Sequence, residues 1–155
     1  MADQGNPGRD YMALAREEAQ AVANHGDVPV GAVLVDPVSG EVVARAGNRV
    51  EQDHDPTAHA ELLAIRAAAA AHGSARLAGF DLHVTLEPCA MCATAISFAR
   101  LHKVVFGAYD PKGGGIEHGP KIFTQPTCHH RPEIIGGVRE QDCADLLKAF
   151  FAERR

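Results

Sequence analysis

No apolar run in this chain approaches the ~18 residues that a membrane-spanning helix requires. The acidic, proline-containing start from Met1 to Asp10 also lacks the charged-then-apolar layout of a secretory signal. A cytoplasmic protein without membrane contact is the expectation. Cysteine is sparse: Cys89, Cys92, Cys128 and Cys143 are too few for a secreted, disulfide-stapled mini-protein. A chain of this length buries roughly two-thirds of its unfolded surface without such staples. The cysteines are therefore free for metal or redox chemistry, and two of them form a C-x-x-C. Positive charge is not in excess either. The formal net charge is −5, so composition alone does not suggest a nucleic-acid partner. The balance is uneven, with 6 Lys/Arg against 13 Asp/Glu over residues 1–98 and 9 against 7 over residues 99–155, which concentrates basic charge in the last third. Internal repeats and low-complexity linkers are missing. What is there, 155 residues of which 46% are apolar and 23% charged, fits one domain spanning 1–155, with residues 1–8 expected to be disordered.

Tyr11, Leu14, Ala15, Ala19 and Val22 recur at three- and four-residue intervals and predict an amphipathic helix from Arg9 to Asn24. Val28 to Val35 is almost wholly apolar, Asp36 to Gly40 is a turn cluster, and Glu41 to Asn48 runs back, a hairpin with a buried first strand. Pro56 disfavours helix at Asp55, and Thr57 is a good cap for a helix from about Ala58 to Ala71. Leu82, Val84 and Leu86 alternate with His83 and Thr85, a strand over Asp81 to Leu86. Pro88 suits the first turn of a helix running to about Arg100. Lys103 to Ala108 is strand-like again, and so compact a strand, helix and strand argues for a right-handed parallel crossover. Glu133 to Val138 reads as a short strand, and Cys143, Leu146, Leu147, Phe150 and Phe151 trace one face of a closing helix. The order αββαβαβ(β)α makes the class α/β.

The chemistry concentrates in His59-Ala60-Glu61 and Pro88-Cys89-Ala90-Met91-Cys92, each placed where a loop or strand hands over to a helix. At about 100° per residue, Cys89 and Cys92 lie roughly 60° apart on a helix, so two thiolates can hold one ion. Zinc prefers cysteine and histidine in a tetrahedron, and a site of two cysteines and one histidine leaves the fourth position to water. Amides at the helix N-termini stabilise the thiolates further. On a regular helix His59 and Glu61 would point roughly 200° apart, so a shared face cannot unite them. The expected geometry is that His59 folds forward over the open helix end while Glu61 sits half a turn in. Glu61 is then placed to take a proton from a metal-activated water and pass it to a substrate nitrogen.

The H-x-E and P-C-x-x-C pair is the pattern of zinc-dependent base deaminases. Four longer stretches accompany it: Asp27-Val28-Pro29-Val30-Gly31-Ala32-Val33, Asp55-Pro56-Thr57-Ala58-His59-Ala60-Glu61, Thr85-Leu86-Glu87-Pro88-Cys89 and Val105-Phe106-Gly107-Ala108. With them, residues 10–155 resemble the bacterial tRNA-specific adenosine deaminases. The resemblance implies a cytidine-deaminase-like three-layer fold, a central mixed sheet of about five strands flanked by helices. It also implies one Zn²⁺ per subunit, a homodimer, and hydrolytic conversion of adenosine to inosine at the wobble position of a tRNA, with the anticodon stem-loop as partner. It makes His59, Cys89 and Cys92 the zinc ligands and Glu61 the proton shuttle. Asn48 matches a position that hydrogen-bonds the flipped nucleoside, while Asp110, Lys112 and the closing Phe151 match an RNA-contacting region. Amides near Ala60 and Ala90 would meet developing charge. The chain departs from the family at Ile116 to Gln125, which does not resemble the usual loop, and at Cys128-His129-His130-Arg131, which replaces an Asn-His-Arg form.

Two other readings stay open on the residues alone. The same chemistry could serve a free base or nucleoside such as guanine, cytosine or cytidine. Alternatively, the C-x-x-C could belong to a non-catalytic zinc subunit that presents RNA, its site closed by Cys128, His129 or His130. Glu87 reads as a supporting carboxylate beside the thiolates, and Cys143 as core.

Overall fold

The computed structural model describes residues 9–154; the disorder expected over residues 1–8 lies outside them. Asp10 opens the first helix, α1 (Tyr11–Ala23), where its carboxylate accepts the Ala13 amide at 3.0 Å. The helix buries Tyr11, Met12, Ala15, Ala19 and Val22 along one side. The hairpin follows as β1 (Gly31–Asp36) and β2 (Glu41–Gly47). Its first strand begins three residues after the apolar run does. The Val30 amide is taken by the Val28 carbonyl at 2.8 Å, a tight turn over Pro29 that withdraws Val28 and Val30 from the strand. Next come α2 (Ala60–His72), β3 (Asp81–Leu86), α3 (Ala90–Ala99), β4 (Lys103–Ala108), β5 (Glu133–Ile135) and α4 (Glu140–Ala152). Both β3 and β4 have the bounds that their alternation predicts, and β5 is shorter than the reading to Val138.

The strands form one sheet in the order β2-β1-β3-β4-β5. β1 runs antiparallel to β2 and to β3, whereas β3, β4 and β5 are parallel, which makes the sheet mixed. Alternation sorts the side chains to two faces. Ala32, Leu34, Leu82, Val84, Val104 and Phe106 pack with Ala60, Ala64 and Ala68 of α2 and Ala93 and Ile96 of α3. Val33 and Val35 meet Tyr11 of α1, and Val105 meets Met12, Ala15 and Cys143 of α1 and α4. The result is a helix, sheet, helix sandwich whose middle strands are apolar on both sides. Among the described residues no helix is long and apolar enough to cross a membrane. α3 starts beyond the C-terminal end of β3, and the chain leaving β4 emerges at the same edge, where ligands of open α/β sheets gather.

Candidate active site

Two helix starts meet at this edge. His59 is the N-cap of α2 and Cys89 the N-cap of α3, and both have extended backbones (φ −76°, ψ 150° and φ −72°, ψ 174°). The cap position is normally taken by Ser, Thr, Asp or Asn, whose side chains accept an orphan amide for about 1 kcal/mol. Neither His59 nor Cys89 makes such a bond. Thr57 does not cap α2 as its sequence position suggests, because its hydroxyl donates to Asp55 Oδ1 at 2.7 Å and the helix starts later. Placed before the first helical turn, His59 escapes the helical spiral that would point it away from Glu61. It turns Nδ1 toward the sulfurs, 3.6 Å from Cys89 Sγ and 3.5 Å from Cys92 Sγ. All three donor atoms lie within 4.8 Å of one another, and no other such group occurs among the described residues. Zinc bonds of about 2.0 Å to nitrogen and about 2.3 Å to sulfur, held at tetrahedral angles, put the two donors roughly 3.6 Å apart. The residues present therefore fit a zinc ion in both donor chemistry and spacing.

Glu61 sits one residue inside α2 and is only 4% exposed. Burial raises its carboxyl to about 7, and the carboxyl lies in hydrogen-bonding contact with Cys92. The sulfurs differ. A hydrogen bond from Cys92 drops the Cys89 thiol to about 4, while the same bond and burial push Cys92 upward. The Cys89 contact raises His59. A cavity of about 360 Å³ opens above these groups. His59, Ala60, Glu61 and Cys89 line one part of it, Asn48 and the Val28–Val30 turn a second, and Asp110 and Gly113 a third. The size is in the range of small-ligand pockets.

Of the residues expected to meet substrate, Asn48, Ala60 and Asp110 border the cavity. Asn48 is buried and donates to the Val28 carbonyl at 3.3 Å. Ala90 does not border it, because Gly115 packs so tightly against its amide that a Cβ there would lie 2.6 Å from the nitrogen. Lys112 is exposed on the adjoining loop, and Phe151 stands 46% exposed on α4, outside the cavity.

Residues 6–108 match the family described as the cytidine and deoxycytidylate deaminase zinc-binding region. A tRNA-specific adenosine deaminase of Agrobacterium fabrum (strain C58 / ATCC 33970) is 52% identical over 94% of this chain and 94% of its own length. Another, of Bacillus subtilis (strain 168), is 46% identical over 94% and 89%. A solved structure from a study of A-to-I editing by tRNA:A34 deaminases at the wobble position of transfer RNA superposes with a TM-score of 0.86. It is 52% identical and is covered to 98%, with 88% of this chain. The chain belongs to the tRNA-specific adenosine deaminases. Zinc is the cofactor of this deaminase family, and His59, Cys89 and Cys92 are the residues that could hold it here.

The structure gives definite partners to residues around the site that the sequence reading left without a settled role. Asp27 is fully buried and accepts the amides of Glu51 at 2.7 Å and Gln52 at 3.2 Å, fixing the segment beside Asn48. Its only sequence signal is an acidic residue set against Val28-Pro29-Val30. Cys128 and His130 are occupied elsewhere. Cys128 donates to the His130 carbonyl at 3.2 Å and touches the Ser97 hydroxyl of α3, the His130 amide donates to that same hydroxyl at 2.9 Å, and His130 Nε2 meets the Leu101 carbonyl just after α3 at 2.7 Å, so both tie their loop to α3 and its end. His129 packs its ring near Phe98 instead. Glu87 is buried and saturated with hydrogen bonds; burial raises its carboxyl, but bonds from the Asp110 amide, His118 and neighbouring amides outweigh this and hold it below the usual range.

Proposed function

We propose that this protein deaminates adenosine to inosine at the wobble position of a tRNA anticodon, in the cytoplasm and as a homodimer. The observation that carries this reading is the convergence of one imidazole and two sulfurs beside a buried carboxylate, in a chain that tRNA deaminases match nearly end to end. When bound, zinc supplies Lewis acidity that makes water a nucleophile at neutral pH. Glu61 accepts one proton from the attacking water and delivers it to adenine N1; it then takes the second proton from the new C6 hydroxyl and passes it to the amine, so that the C6–N bond breaks, ammonia leaves and C6 becomes a carbonyl. Its burial keeps bulk water from competing for that proton. Asn48 orients the base, and the Ala60 amide lies where developing charge can be met. Asp110 and Lys112 at the mouth, with Phe151 on α4, contact the anticodon loop, whose unpaired nucleotide is cheap to flip. Met91 and Phe98, 36% and 60% exposed on α3, give a second copy an apolar stripe to cover.

Incubation of the zinc-loaded protein with an unmodified anticodon stem-loop, with free adenine, guanine and cytosine, and with cytidine tests the reading. Inosine at the wobble position only is expected. Ammonia from a free base with no inosine in the stem-loop would overturn it. Light scattering should give twice the chain mass, and Phe98→Asp should halve it.

A further inference from the structure

Glu87 stands between β3 and the Cys89 thiol, and its side chain has no exposed surface. Every acceptor site it has is taken. Oε1 accepts from the Asp110 amide at 3.0 Å and from His118 Nδ1 at 2.8 Å. Oε2 accepts the amides of Ile116, Glu117 and His118 at 3.2, 2.8 and 3.1 Å. An ionised carboxylate offers about four lone-pair sites, so five donors leave none over for exchanging a proton with a substrate. All five donors come from residues 110–118, the segment that leaves β4 and brings Asp110 and Gly113 to the cavity. The contact is close because the segment carries no side chains where it crosses: a Cβ at Gly114 would run into Glu87 Oε2, and the Gly115 amide donates to the Pro88 carbonyl at 2.8 Å. One buried anion therefore replaces the partners that these backbone amides would otherwise find in water.

We propose that Glu87 is a positioning residue whose carboxylate, clamped by His118 and the 110–118 backbone, holds that segment as a wall of the cavity and so sets how the target base is seated. The proposal rests on the deaminase reading of the site. It separates the two carboxylates near the sulfurs: Glu61 moves protons, and Glu87 shapes the wall. A glutamine at 87 keeps the size but offers a single oxygen, and its amide group faces donors with another donor.

The test uses full-length, zinc-loaded wild type, Glu87→Gln and His118→Ala, with three readouts: bound zinc, steady-state kinetics on the anticodon stem-loop, and amide hydrogen exchange. Glu87→Gln is expected to keep one zinc, to raise KM at least tenfold with a smaller change in kcat, and to lose exchange protection at residues 114–118 while β3 and α2 keep theirs. His118→Ala removes one donor of the five and should move the same quantities in the same direction by less. Unchanged protection at 114–118, a loss confined to kcat, or loss of zinc from Glu87→Gln would overturn the proposal. If Glu87→Gln does not fold, His118→Ala decides by the same readouts, and unchanged protection in it overturns the clamp. If wild type makes no inosine, the deaminase reading fails, and the exchange data still judge the clamp.

Discussion

Replacing Glu61 by glutamine removes the proposed proton carrier while keeping the shape of the buried side chain. The size of the loss follows from what else could take over. Glu87 has no acceptor site left. Asp27 is held by the amides of Glu51 and Gln52, and Asp110 Oδ1 by those of Lys112 and Gly113 at 3.2 and 2.9 Å. The remaining carboxylate that lines the cavity, Glu51, is exposed to solvent, so among the described residues no buried substitute base is free near the cavity floor. The loss should therefore reach the upper end of the 10²–10⁴ range for general acid–base catalysis, and a factor of about 10⁴ equals about 5 kcal/mol in the barrier. The zinc site should not suffer. Glu61 donates no atom to the His59, Cys89 and Cys92 group, and removing a carboxylate buried beside Cys92 leaves the variant at least as stable as wild type. The assay is inosine content of a digested stem-loop under single-turnover conditions, alongside bound zinc and a urea unfolding curve. A Glu61→Gln protein with one zinc and more than a tenth of wild-type turnover would refute the assignment, because among the described residues no other buried carboxylate at the cavity is free to carry the proton.

Two further predictions concern stability. Burial of His83, with the Lys103 ammonium adding to the effect, lowers its pKa from 6.5 to about 3. The unfolded chain takes up that proton near pH 6.5 and the folded chain only near 3, so the stabilisation is complete above 6.5 and drains away as pH falls toward 3, by about 5 kcal/mol at most. Urea unfolding of wild type and His83→Leu from pH 7.5 to 4.5 should show a shallower acid decline in the variant; parallel curves would contradict the argument. Asp10→Ala removes both the cap on Ala13 and the ion pair that joins α1 to Arg139 at the start of α4. The exposed pair adds little, so the cost should be about 1 kcal/mol. For a chain of this size that corresponds to a melting point about 2–4 °C lower by calorimetry.

What could be read in advance differs from element to element for physical reasons. Asp81–Leu86 and Lys103–Ala108 were legible to the residue because an alternating or wholly apolar run between polar flanks has few other ways to bury itself. The start of α2 was not: Thr57 is a good cap by type, but Asp55 two residues earlier competes for its hydroxyl, and that local bond moves the helix start to Ala60. This shift makes His59 a cap residue and lets it share a site with Glu61. The metal-ligating spacing was visible because Cys89 and Cys92 lie close in sequence, and the third donor was supplied by a motif. The Glu87 clamp was invisible, since its partners lie up to 31 positions away and are mostly backbone amides, which carry no residue-type signal. The strand order and the placement of Cys128 and His130 against α3 likewise come from packing between distant segments.

The central claim is an open metal site built from three protein donors, and an X-ray absorption spectrum at the zinc edge of the purified chain tests it most directly. The account predicts one zinc per chain, with two sulfur neighbours near 2.3 Å, one imidazole nitrogen near 2.0 Å and a light atom from solvent completing the tetrahedron, to about 0.2 Å. A third sulfur or a second imidazole around the ion, or full inosine-forming activity in a chain that holds no zinc, would contradict it.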